Sequence, residues 1–172
     1  MDVTTLMKLM TSANTVSALS SNAGTQTDQT LDVLSSILPQ LLGGASAQAT
    51  NKNTAESFLK ALDDHSKDNT RDIAAFIKNA DLDDGEKIVQ HLLGKNESTA
   101  VKSAAKSAGV SQADAAKIIA NAAPLLMGIL GQQNQKQKTA KNASQGSELI
   151  QALSSSGFTA TDAIGLLGKF LK

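Results

Sequence analysis

Apolar residues recur at three- and four-residue spacings along almost the whole chain, the period of an amphipathic α-helix, and no stretch alternates with the period of a strand. Val3, Leu6, Met7, Met10, Ala13 and Val16 form the first stripe, which predicts one opening helix before the polar stretch SSNAGTQTDQT. Leu31, Leu34, Ile37, Leu38, Leu41 and Leu42 form a wider face around Pro39, and Gly43-Gly44 predicts the stop of that helix, with ASAQATNKN as a linker after it. Asn53 with Glu56 has capping-box spacing ahead of Phe58, Leu59 and Leu62, and Asn69 with Asp72 repeats it ahead of Ile73, Phe76 and Ile77. The acidic turn DLDDG then leads to Ile88, Val89, Leu92 and Leu93, closed by Gly94.

The small-residue segment ESTAVKSAAKSAG follows, predicting a helix that a neighbour can approach closely. Ser111 with Asp114 caps a longer stripe of Ile118, Ile119, Ala122, Leu125, Leu126, Ile129 and Leu130, which continues past Pro124 and reads as the buried central helix. GQQNQKQKTAKNASQGS is polar and poor in apolar residues, the composition of a flexible connector. Beyond it, Leu149, Ile150 and Leu153 predict a short helix, and Thr159 with Asp162 caps a last one bearing Ile164, Leu166, Leu167, Phe170 and Leu171. The expected fold is all-α, an array of about eight or nine helices with two apolar helices kinked at Pro39 and Pro124. The organisation expected is an N-terminal helix and linker over 1–30, a helical core over 31–133, a flexible polar linker over 134–146, and a C-terminal helical hairpin over 147–172 packing on that core.

Composition narrows the chemistry. A chain of 172 residues can bury a sizeable core, and with four phenylalanines and no tyrosine or tryptophan that core is aliphatic. The absence of cysteine removes disulfides, thiolate catalysis and finger-type zinc sites. The Met-Asp start lacks a basic leader, and no apolar run approaches the roughly 20 residues that cross a bilayer, so a cytoplasmic protein without an integral membrane segment is expected. The zero net charge hides an asymmetry: residues 1–97 carry eight Lys/Arg against thirteen Asp/Glu, and residues 98–172 carry eight against three. Attraction between the two halves, or between two copies, accounts for that split without nucleic acid.

The run DGEKIVQHLLG, the small-residue helix, and GVSQADAAKIIANAAPLLMGILGQQ together resemble the bacterial domain-of-unknown-function family 937, the YidB-like proteins. The resemblance covers roughly Leu31 to Gln133 and is firmest from Asp84 to Gly131. Gln90 stands before His91 where members often have glycine. The resemblance implies a multihelical YidB-like array from a bacterial cytoplasm and implies no activity, so it transfers no catalytic or binding residue.

Three chemistries are open to the residues themselves. AAKSAGVSQADAAKIIAN has the spacing of a helix-turn-helix; Ser111, Gln112, Ala113, Asp114 and Lys117 would then face the major groove, with Lys102 and Lys106 near phosphate and Lys136, Lys138 and Lys141 adding positive charge. Asp114 and the absence of arginine there weigh against DNA, and the apolar continuation past Ile118 calls for burial. His65 and His91, with Asp63, Asp64, Asp81, Asp83 and Asp84, could supply a mixed metal site, but their spacing follows no ligand pattern. Local roles are expected instead: His65 against the terminal carbonyls of its helix, and His91 in a local hydrogen bond. DLDDG fails the calcium-loop spacing, and neither GKNES nor GKF forms a phosphate-binding loop. The expected function is non-enzymatic, without cofactor: a protein-interaction or self-assembly module that meets a protein partner or a second copy, with helix-turn-helix DNA binding through residues 102–117 as the alternative.

Overall fold

A computed structural model describes residues 3–140, and the expected C-terminal hairpin over 147–172 lies outside them. The described chain contains eight α-helices and no strand: α1 (Val3–Met10), α2 (Ala13–Ala23), α3 (Thr27–Thr50), α4 (Ala55–His65), α5 (Ile73–Lys78), α6 (Leu82–Leu93), α7 (Glu97–Ala108) and α8 (Gln112–Ala140), with a 3-10 turn at Gly94–Asn96.

Helix α8 is the axis of the fold. Residues 118–131 are buried on every face, and all seven other helices pack around it. Such a helix carries no polar stripe because no side of it meets water. It is also, contrary to the sequence expectation, long and apolar enough over Gln112–Lys136 to cross a membrane, yet 78% of its most apolar window is enclosed by the other helices. Leu34, Ile37, Leu38, Leu41 and Leu42 of α3 form the second layer of core. Against α3 lies α7, whose buried face is made only of Ala100, Ala104, Ala105 and Ala108. Small side chains on that face let the two backbones approach, as the composition of the segment predicts.

Both prolines sit inside continuous helices, Pro39 in α3 and Pro124 in α8. Pro124 has no N–H to offer the carbonyl of Ala120 four residues back. Gly85 of α6 fits against that carbonyl, and a Cβ at position 85 would overlap its oxygen. The same device recurs at Gly44 of α3 against the carbonyl of Leu92 in α6, and at Gly131 of α8 against the carbonyl of Leu62 in α4. Three helix pairs therefore meet backbone to backbone, with Cα–H groups facing carbonyl oxygens.

These contacts explain two departures from the sequence reading. Helix α3 does not stop at Gly43-Gly44 but runs through the supposed linker to Thr50, and α8 runs past Gly131 to Ala140, through the first part of the expected flexible connector. Gly44 and Gly131 are glycines of close approach, not of termination. A third departure is at the N-terminus, where the single expected helix is two. Thr15 Oγ1 donates to the carbonyl of Leu9 at 2.8 Å and Ser12 Oγ accepts from the Thr15 N–H at 3.4 Å, so α1 ends and α2 is capped afresh. Leu6, Met7, Met10 and Leu19 enter the same core as α3 and α8, so residues 3–30 share the core expected over 31–133. Asn53 is not the cap of α4, since its N–H donates to Asn51 Oδ1 at 2.9 Å and Thr54 stands at the cap position.

Candidate functional site

One corner of the molecule is built differently from the rest. It consists of the end of α4, the loop 66–72, the six-residue α5 and the first turn of α6, with Pro124 and Met127 of α8 beneath. Asp72 caps α5 by accepting from the Ala75 N–H at 3.0 Å, and Asp81 caps α6 by accepting from the Asp83 and Asp84 N–H groups at 2.9 and 3.3 Å. Asn69 caps no helix; its Oδ1 accepts from the Arg71 N–H at 3.3 Å and shapes the loop.

Polar side chains from distant helices stitch this corner down. Gln132 of α8 donates to the carbonyl of Asp68 at 2.7 Å and accepts from Thr70 Oγ1 at 3.1 Å. Asn22 of α2 donates to the carbonyl of Ile77 at 2.8 Å and to Oδ1 of buried Asn121 at 3.4 Å. Gly128 gives Thr70 its place, for a Cβ there would press on the threonine methyl.

His65 occupies the centre of the corner. Its Nδ1 lies 2.8 Å from Asp68 Oδ2 and its Nε2 lies 3.8 Å from Asp84 Oδ2, so it meets carboxylates instead of the helix-terminal carbonyls expected of it. The His65–Asp84 pair separates two clefts. On one side is a cleft of about 380 Å³, walled by Phe76 and Pro124 and bearing the carboxylates of Asp68, Asp72, Asp81 and Asp84. On the other is a cleft of about 300 Å³ between α4 and α6, walled by Phe58, Ile88 and Met127 and rimmed by Lys87 and His91. His65 and His91, distant in sequence, thus border one cleft. His91 itself is exposed, and its backbone carbonyl accepts from Gln48 Nε2 at 2.8 Å.

Of the acidic residues suggested as metal ligands, Asp81 and Asp84 stay beside His65 on the first cleft and others disperse. Asp63 turns toward α8, where its Oδ1 lies 3.4 Å from Asn134 Nδ2 and 3.3 Å from Gln135 Nε2, and exposed Asp64 lies 3.8 Å from the ammonium of Lys67. Asp81 is committed to its cap, and among the described residues no group of three or more His, Asp or Glu is placed to hold a metal ion.

The helix-turn-helix segment has its turn: Gly109 ends α7 in the left-handed region at φ 64°, and Ser111 caps α8. Lys102 and Lys106 are exposed on α7, and Ser111, Gln112 and Ala113 are exposed at the start of α8. The Ser111 hydroxyl, however, donates to Asp114 Oδ2 at 2.7 Å, Lys117 is half-buried, and every residue of α8 from Ile118 to Gly131 is enclosed. About one turn of the supposed recognition helix, Ser111 to Ala113 with half-buried Asp114, is open to solvent.

Sequence reading missed Asp68, Phe76 and Gln132 as parts of one site. Gln132 lies in a stretch whose composition reads as a connector, and its partner Asp68 is 64 residues away, so no local pattern announces the pair.

No curated protein and no solved structure shows a significant match to this chain. The family described as bacterial protein of unknown function, DUF937, matches residues 5–133, from the middle of α1 through the enclosed part of α8, and the chain belongs to that family.

Proposed function

We propose that this chain is a cytoplasmic, non-enzymatic protein-interaction module, and that its contact surface is the His65 corner. The observation that supports this reading most is the union of charge and apolar wall in one cleft: Asp68, Asp72, Asp81 and Asp84 open on it beside Phe76 and Pro124. Such a surface suits a partner segment that carries basic and apolar side chains together, because the wall rewards burial and the carboxylates select charge. His65 directs its ring nitrogens toward carboxylates and not toward a hydroxyl nucleophile, which favours binding over acyl-transfer chemistry.

The DNA-binding alternative draws on exposed Lys102 and Lys106 beside the Gly109 turn. One titration separates the two readings. Fluorescent Leu/Lys amphipathic peptide and fluorescent duplex DNA are titrated at low and physiological salt with the wild-type protein, with D72N/D84N, and with K102A/K106A/K117A. Peptide binding weakened about tenfold by D72N/D84N is the expected result, a loss of about 1.4 kcal/mol. Salt-steep DNA binding abolished by the triple lysine variant, with no peptide bound, would overturn it.

A further inference from the structure

We infer that the groove between α2 and α5 is a second docking site, opposite in charge preference to the acidic cleft, and that it takes an acidic peptide segment of a protein partner. The groove has a volume of about 1000 Å³ and shares only its Asp72 lip with the acidic cleft. The inference goes beyond the reading above, since neither site needs the other.

The two walls of the groove differ. On α2, Asn14, Ser17 and Ser21 follow at three- and four-residue spacing and form one stripe, while Val16, Leu19 and Ala23 of the same helix are buried. On the other wall Arg71 stands just before α5 and Lys78 is its last residue, so two cations bracket a six-residue helix about 9 Å long. Arg71 is the one arginine of the chain, and it lies in the half of the sequence where acids outnumber bases. Among the described residues neither cation has an ion-pair partner, and the side chains of Asn14, Ser17 and Ser21 make no hydrogen bond. The single carboxylate at the groove, that of Asp72, is turned to its own helix, where it accepts from the Ala75 N–H at 3.0 Å.

An unpaired guanidinium presents a fork of N–H donors that matches a carboxylate or a phosphate. The hydroxyl and amide groups along α2 suit the carbonyl oxygens of a peptide backbone. Three features favour peptide over nucleic acid. No aromatic ring lines the groove to stack on a base, Asp72 opposes a continuous run of phosphates, and Ala18, Ile73 and Ala74 offer an apolar floor to the aliphatic part of a side chain. Seven of the ten lining residues are exposed, so the groove is a trough along which a chain segment lies, not an enclosure that buries a small ligand. Two carboxylates about 10 Å apart, the span of about three extended residues, would meet both cations.

The test titrates the whole protein with a fluorescent peptide bearing Glu at every third position, with the same peptide bearing Gln instead, and with fluorescent duplex DNA, at low and physiological salt. The inference predicts that the Glu peptide binds at low salt and the Gln peptide does not. R71Q/K78Q should weaken the Glu peptide about tenfold with the urea melt unchanged, both side chains being exposed and unpaired. R71K should keep only part of the affinity, and S17A/S21A should weaken binding about threefold with no change of charge, effects that bulk charge attraction does not produce. K102A/K106A on α7 should leave binding intact. No binding of the Glu peptide, equal binding of the Gln peptide, indifference to R71Q/K78Q, or an equal loss with K102A/K106A each overturns the inference, as does duplex DNA held through Arg71 and Lys78 in place of the peptide. Asp72 separates the two sites: D72N, which keeps the cap of α5, should tighten the Glu peptide while it weakens the Leu/Lys peptide. Both peptides moving in the same direction would mean one shared site and sink the inference. Glu-peptide binding without Leu/Lys-peptide binding leaves the groove standing and removes the acidic cleft, and the converse removes the groove.

Discussion

The junction of α3, α6 and α8 and the part of the His65 corner made by the loop 66–72 and α5 belong to the same helical fold, but they are joined by different means. At the junction, Gly44 lies on the Leu92 carbonyl and Gly85 on the Ala120 carbonyl, and Leu38, Leu41 and Leu42 of α3 and Ile118, Ile119 and Leu125 of α8 are fully buried. At the corner, α5 has six residues, of which Ile77 alone is buried, and its place is fixed by Asn22, Asp72 and, through the adjoining loop, Gln132. Close-packed backbone has no tolerance for added atoms. A corner held by a few hydrogen bonds, each contributing about 1 kcal/mol net, opens at a lower cost than the frame that carries it. The grooves lie at the loosely joined end, where rearrangement around a ligand does not require the frame to move.

The sharpest way to break the comparison is to add one methyl group at the junction. G85A and G44A should each destabilise the protein by about 3 kcal/mol in urea melts, because the neighbour each methyl group would meet is a backbone carbonyl and cannot rotate away. A loss below 0.5 kcal/mol, on the order of a surface change, would show that the helices are not in backbone contact. At the corner, Q132A removes two hydrogen bonds and should cost about 1–2 kcal/mol, with amides of the loop 66–72 exchanging faster while those of α3 stay protected. D72A removes the cap of a six-residue helix and should cost about 1 kcal/mol, read as faster exchange within α5. The smallest effect has the opposite sign. G43A, one residue from the sensitive Gly44, meets nothing within 4 Å and should stabilise α3 by up to about 1 kcal/mol.

That neighbouring pair also shows where the sequence was legible. Helical stripes, the enclosed central helix from Ile118 to Leu130, the Ser111–Asp114 cap and the all-α class all follow from periodicity and capping chemistry, because those are local properties. Gly43-Gly44 reads as a helix end, and Gly131 as the start of a connector, because a terminating glycine and a close-contact glycine are the same residue; the difference lies in Leu92 and Leu62, dozens of positions away. The break between α1 and α2 escaped for the converse reason. Ser12 and Thr15 break the helix between positions of an apolar stripe, Met10, Ala13 and Val16, whose spacing does not change. For the candidate site, the caps at Asp72 and Asp81 belong to segments whose polar character was visible, whereas the meeting of His65, His91, Phe76 and Pro124 depends on the packing of four helices and has no signature along the chain.

Native-state hydrogen exchange across a series of low urea concentrations tests the contrast between frame and corner most directly. The amides of Leu125–Leu130 should exchange only through global unfolding, with the full urea dependence of the melt, whereas those of the loop 66–72 and of α5 should exchange through local opening that urea scarcely affects. Equal protection and equal urea dependence in the two regions would contradict it.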